Sequence, residues 1–290
     1  MRTAAPSARW PSSILEDMLT DMHMAGYSPA SIVTRLYRLG KVLLMMEPGA
    51  NLSHFAMLRR EFGPIKPAFD PIIWKVSSYD LQKLGIDLMN KADTAGHWDE
   101  IDRADGYRTG LQIAILAARP WRTGVFMSMT VDKHLTRNGD RWQLKAESFE
   151  TKHRRAQAAV APVRLDTYID RYCSVHRLAL RKKCIECNAL WINKNGKPQT
   201  ADEFRIEFRG QTEARFGTVI TPSLARKIAA TTIATANPEQ IHAVQGVLGH
   251  SRYGTGEQWY NMASSLSAFN DLDATMTRLE KGPRKKKNRR

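Results

Sequence analysis

The sequence predicts a mainly α-helical protein with one small antiparallel sheet, divided into two domains. Three observations predict it. Apolar residues recur at helical spacing behind recognisable caps over most of the chain. Two short β-prone runs flank an Asn138-Gly139 turn. A cluster of helix breakers, Gly63, Pro64, Pro67 and Pro71, separates two helical stretches, and 290 residues suit two domains better than one.

The elements follow in order. Ser13, Ile14, Leu15 and Glu16 have the Ser-x-x-Glu form of a capping box, and Leu15, Met18, Leu19 and Met22 continue at helical spacing to a first helix ending near Gly26. Ser28 and Pro29 offer an N-cap and an N1 proline. Ile32, Leu36, Leu39, Leu43 and Met46 then form one stripe, which Pro48 and Gly49 stop. Residues 51–62 read as a third helix, and the breakers behind it predict an exposed linker over residues 63–76.

Helical patterns at residues 78–91 and 105–118 open the second domain, the latter ended by Pro120. Residues 125–135 and 141–150, on either side of Asn138-Gly139, read as strands, with residues 158–164 supplying a third. From Leu165 the pattern is helical again, interrupted at Asn195-Gly196 and at Pro222. The domains expected are therefore residues 1–70 and 71–282, followed by a basic tail, residues 283–290.

Charge narrows the function. The chain has 44 Lys and Arg against 29 Asp and Glu, a net charge of +15. Residues 284–290 hold six of these positive charges, and subtracting them leaves +9 on the rest. Duplex DNA, with about one negative charge per 1.7 Å, is the partner such a surface suits best. A membrane partner is not expected, because the longest apolar stretch, residues 109–118, is far short of the roughly 20 residues a span needs. The N-terminal residues have no apolar secretion core, so a cytoplasmic, nucleoid-associated location is expected. Three cysteines form no disulfide framework, and Cys184 and Cys187 lack two clear further ligands for zinc.

Several segments, read together, carry chemistry. Ala114-Ile-Leu-Ala-Ala-Arg-Pro-Trp-Arg122 is a helix and turn ending in arginine, with Arg119 as the rival position. Glu150-Thr-Lys152 falls in the expected hairpin. Thr221-Pro-Ser-Leu-Ala-Arg226, Val247-Leu-Gly-His250-Ser251 and Glu257-Gln-Trp-Tyr-Asn261 follow in that order. Together, and with Gly26-Tyr-Ser-Pro-Ala-Ser-Ile32 near the start, these segments resemble the tyrosine recombinase (phage integrase) family over nearly the whole chain. The resemblance implies an N-terminal helical core-binding (SAM-like) DNA-binding domain and a catalytic domain closing on duplex DNA as a C-shaped clamp. It also implies a homotetramer on two recombination sites, open to an accessory DNA-bending or directionality factor.

It further assigns roles by position: Arg122 and Arg226 as arginines of the phosphate clamp, Lys152 as the hairpin lysine, His250 in the Leu-Gly-His motif, and Tyr260 as nucleophile. The residue types suit the task. Two guanidinium forks can hold the non-bridging oxygens of a phosphodiester. A tyrosine can take the strand as a 3′-phosphotyrosine, and a lysine can protonate the departing 5′-oxygen. No metal or other cofactor is expected. One position departs from the pattern: Ser223 stands where the family's box has histidine, and a hydroxyl cannot act as a base near neutral pH.

Taken singly, each residue has a plainer reading: Arg122 as a surface arginine at a helix end, Lys152 as one of several exposed basic residues, Arg226 as part of a basic face, His250 as a turn residue, Tyr260 as packing beside Trp259 with Tyr253 as its rival. Two alternatives to integration or excision of a mobile element therefore stay open: a catalytically weakened or non-catalytic DNA-binding protein on the same scaffold, and a type IB topoisomerase-like activity. Residues 264–281, with an apolar stripe of Leu266, Phe269, Leu272, Met276 and Leu279, are a candidate for docking on a neighbouring protomer or for packing within the chain.

Overall fold

The computed structural model describes residues 12–62, 71–151, 154–182, 185–236 and 258–281. The chain separates into two compact units, residues 1–69 and 70–290.

The first unit is helical: α1 (Ser12–Met24), α2 (Pro29–Met46) and α3 (Ser53–Glu61). Gly26, at φ +71, turns the chain out of α1 in the left-handed region that glycine enters without penalty. Ser28 then caps α2, its hydroxyl accepting from the Ser31 amide at 3.3 Å, with Pro29 at N1. Ile32, Leu36 and Leu43 are buried against Leu15, Met22 and Phe55, whereas Met46 is 76% exposed, so the α2 stripe ends a turn before its last apolar residue. Ser13 lies inside α1 rather than ahead of it and so does not stand at the N-cap position expected of it.

In the second unit α4 (Ile72–Lys75) follows Pro71 at once, and Ile72, Ile73 and Val76 are buried in the core. The second half of the expected exposed linker is therefore part of the fold. Proline stops a helix that reaches it but fits just ahead of, or within, a first turn, and Pro71 takes the helical φ of −57 there. α5 (Ser78–Thr94) begins with a reciprocal capping box between Ser77 and Asp80, and α6 (Glu100–Ala118) with Asp99 as its cap. From Tyr107 to Ala118 every residue of α6 is buried, which is why its sequence shows an apolar run rather than an amphipathic stripe. α5 and α6 touch backbone to backbone at Gly85 and Gly110: a Cβ on Gly85 would lie 2.4 Å from the Gly110 carbonyl oxygen.

The sheet has the order β1 (Leu135–Asn138), β2 (Arg141–Ala146), β3 (Gln157–Val160), all antiparallel. Gly139, at φ +58, closes the two-residue hairpin between Asn138 and Arg141. Residues 125–134 are not strand. They form α7 (Thr123–Met127) and α8 (Val131–His134), with Val125, Phe126 and Met127 buried. A short apolar run has no period that separates a buried helix turn from a buried strand. Residues 147–150 leave the sheet as well, and Ser148–Glu150 is a 3-10 turn.

Beyond β3 come α9 (Val163–Arg171), a π-helical turn at Tyr172–His176, α10 (Arg177–Arg181), α11 (Ala201–Phe216), α12 (Pro222–Ala236) and α13 (Gln258–Glu280). The residues after Pro162 expected in the third strand thus belong to α9. Pro222 starts α12 rather than interrupting a helix, because Thr221 takes the capping role, its hydroxyl accepting from the Leu224 amide at 3.1 Å. Phe269, Leu272 and Met276 of α13 are buried in this unit's own core, so at those positions the stripe packs within the chain. Among the described residues no helix is long and apolar enough to cross a membrane.

Candidate active site

The turn after α6 separates its two arginines. Arg119 is fully buried: both terminal nitrogens hold Asp273, at 2.8 and 2.6 Å, and Nε donates to the Val160 carbonyl at 2.7 Å. Its guanidinium is committed to the fold. Arg122, three residues on, is half-buried at the N-cap of α7 and makes no ion pair among the described residues. Of the two rivals, only Arg122 has a guanidinium that a ligand can reach.

Arg226 comes to the same turn from α12. It donates to the Pro120 carbonyl, so the second arginine is fastened to the turn that leads to the first. Burial, and then the positive charge of Arg122, push the Arg226 guanidinium down to about 10, which leaves it cationic at neutral pH. Two like charges brought together from positions 104 residues apart repel, and an anion between them would relieve that repulsion. Ser223 lies one turn before Arg226 on α12 and is exposed.

The connection between β2 and β3 is anchored on both sides of Lys152. Glu150 accepts from Lys133 at 2.5 Å, from His134 at 2.9 Å and from the Glu147 amide at 2.7 Å. Burial alone would raise its carboxyl; these hydrogen bonds outweigh it and hold Glu150 at about 2. The Thr151 hydroxyl accepts from the Arg155 amide at 2.9 Å. Lys152 and His250 lie outside the described residues. Tyr260 is placed by its backbone in the first turn of α13, the helix whose later turns carry Phe269 and Asp273.

This architecture can be compared with known proteins. Among solved structures it matches the site-specific recombinase XerH bound to its difH substrate in a pre-cleavage complex, with a TM-score of 0.54 and 13% identity, over 92% of this chain and 68% of that one. The fold is tyrosine-recombinase-like. No protein-family model and no curated protein matches the chain.

Two features, one in each unit, were not legible from sequence motifs. One is the clasp around Glu150, whose partners Lys133 and His134 sit in a segment that reads as strand. The other lies in the first unit, where Arg35 stacks over Tyr27 at 4.3 Å, and Lys41 and Arg59 lie over Tyr37 at 4.9 and 5.1 Å. That gives α2 an exposed face of cations on aromatic rings, and the signal available for it was the interleaving of Tyr and Arg between Tyr27 and Lys41. Among the described residues no group of three or more His, Cys, Asp or Glu is placed to hold a metal. Burial pushes the Cys173 thiol up to about 11, so it is a poor nucleophile.

Proposed function

We propose that this protein is a site-specific DNA recombinase that cuts and rejoins DNA through a 3′-phosphotyrosine. The observation that supports it most is the convergence of Arg122 and Arg226 on one turn, two cations held close enough to act on each other. A phosphodiester carries the charge and the two non-bridging oxygens that such a pair fits. Residues 1–69 would grip the duplex and residues 70–281 would hold the chemistry. The +15 charge and the cation–aromatic face of α2 serve the phosphate backbone.

In the reaction, the Tyr260 oxygen bonds to phosphorus and its proton passes to water or His250. The P–O5′ bond breaks with its electron pair on oxygen, and the Lys152 ammonium protonates that oxygen. The phosphotyrosine keeps the bond energy, so a second 5′-hydroxyl can reverse the step on a partner strand. Four protomers on two sites, acting in alternate pairs, would turn cleavage into exchange.

The test is a covalent adduct. The protein is incubated in EDTA with a randomised library of nicked duplexes, and denaturant-stable protein–DNA species are isolated and sequenced. The proposal expects adducts that wild type forms and Tyr260→Phe does not, with Tyr253→Phe unaffected. Ser223 supports one second reading, a DNA-binding protein of the same fold that does not cut. Retained DNA binding with no adduct from wild type would favour it.

A further inference from the structure

The two helices that open the first unit carry opposite charge. α1 has Glu16, Asp17 and Asp21 and neither Lys nor Arg, whereas α2 has Arg35, Arg38 and Lys41 and no carboxylate. Among the described residues no ion pair joins the two sets. Between the helices lies a groove of about 780 Å³, lined by Met18 and Met22 from α1 and by Leu39 and Val42 from α2, with Arg35 and Arg38 beside them. Both arginines are exposed, and Val42 is 50% exposed, so the apolar lining is open to solvent. α1 also has an outer stripe. Ile14, Asp17, Asp21 and Met24 follow one another at intervals of three and four residues, which puts them on one side of the helix, away from Leu15 and Met22 in the core. Ile14 is 46% and Met24 85% exposed. The stripe is thus apolar at each end with two carboxylates between, the counterpart of an apolar groove that carries two arginines.

We infer that the first unit pairs with a second copy of this chain about a two-fold axis, α1 of each copy lying in the groove of the other with Asp17 and Asp21 against Arg35 and Arg38. α1 is at once a wall of one groove and the helix that fits the opposite one. A single contact therefore covers both grooves, the self-complementarity that a two-fold dimer requires. Ile14 and Met24 leave water against Met18, Leu39 and Val42, which supplies the drive. The charge pairs set partner and orientation more than affinity. Tyr37, two residues on from Arg35, points to the other side of α2, so the face it forms with Lys41 and Arg59 stays clear of the groove. The inference is independent of the cleavage chemistry.

Charge reversal tests this on the full chain without DNA, by sedimentation equilibrium. Wild type should show a reversible monomer–dimer equilibrium in the micromolar range. Arg35→Glu with Arg38→Glu, and separately Asp17→Arg with Asp21→Arg, should each weaken dimerisation about tenfold to a hundredfold, because four exposed ion pairs per dimer become like-charge contacts. All the altered side chains are exposed, so circular dichroism should show wild-type helix content. If Arg35→Glu disturbs the fold through Tyr27, Arg38→Glu alone carries the comparison. The decisive sample is an equimolar mixture of the two double variants. Each α1 then meets a groove of opposite charge, and the heterodimer should form within about threefold of the wild-type affinity. Wild type that stays monomeric up to about 100 μM, or a mixture that does not pair, would overturn the inference. Reversal of Arg35 and Arg38 that leaves self-association as in wild type but weakens binding to a pool of random-sequence duplexes would also overturn it and assign the groove to DNA.

Discussion

Arg119 holds Asp273 through both terminal nitrogens of its guanidinium, and the pair joins the end of α6 to α13 across 154 residues of sequence. Arg119 also lies 5.0 Å from the Phe269 ring, one turn before Asp273 on the same helix. Three residues from Arg119 stands Arg122, and α13 begins with the turn that carries Tyr260. One buried ion pair thus links the helix proposed to bear the nucleophile to the turn proposed to bear the phosphate clamp.

Removing one partner of that pair should be costly, because it strands a charge that is almost wholly buried. Asp273→Asn should lower stability by about 2–4 kcal/mol, at the lower end of what breaking a buried pair costs since Asp273 is itself partly exposed. Urea unfolding should show a lower midpoint with an unchanged slope. The double variant Arg119→Met with Asp273→Leu should recover much of the loss, since no uncompensated charge remains. A midpoint shift below the error of the measurement would mean that the Val160 and Ala118 carbonyls suffice to satisfy Arg119.

Glu150 gives a pH dependence with a definite sign. Its folded carboxyl is held at about 2 against an ordinary value of 4.5, so its contribution to stability is complete above the unfolded value and is lost as pH falls toward 2. The stability difference between wild type and Glu150→Gln should be about 1–3 kcal/mol above pH 5 and shrink steadily below it. Denaturant melts at pH 6, 4 and 3 measure it. A difference that is constant with pH would show that the hydrogen bonds, rather than the charge, set the contribution.

How far the sequence reached depended on how local each signal is. Ser28 with Pro29, and the Asn138-Gly139 turn, act on their immediate neighbours, and both the helix α2 and the hairpin stand where those residues put them. Val125 to His134 went the other way: burial on all sides removes the alternation that would tell strand from helix. The choice of Arg122 over Arg119 and its pairing with Arg226 were implied by a resemblance, but the partner that commits Arg119 to the fold, Asp273, was out of reach, because no spacing rule connects it to position 119. The Glu150 clasp depends on α8, an element the sequence reading had as strand, and so it was beyond reach.

The basic tail tests the DNA reading independently of catalysis. Residues 284–290 hold six positive charges. Each charge that meets a phosphate adds about 0.9 to the slope of log K against log salt, so truncation before Arg284 should weaken binding at low salt and flatten the slope by up to about five. Fluorescence anisotropy with a labelled duplex between 50 and 300 mM salt reads this directly. An unchanged slope would place the tail away from DNA.

The last prediction concerns Ser223, one turn ahead of Arg226 on α12. An imidazole there would bring a proton carrier and a longer reach to the phosphate that Arg122 and Arg226 are proposed to hold. Space decides whether it can be accommodated. The small residues Ala225 and Ala229 do not provide room, because both are fully buried on the other face of α12, packed into the core. Ser223 itself is exposed, so a larger ring at that position extends toward solvent and the site instead of into packed neighbours. Thr221 supplies the hydroxyl that caps α12, so replacing Ser223 removes no cap. Ser223→His should therefore leave the fold and DNA affinity unchanged and raise the single-turnover cleavage rate by about tenfold, within the lower range of what acid–base groups contribute. If cleavage slows while affinity and melting temperature hold, serine is the residue to which this site is adapted, and His250 or water already carries the proton.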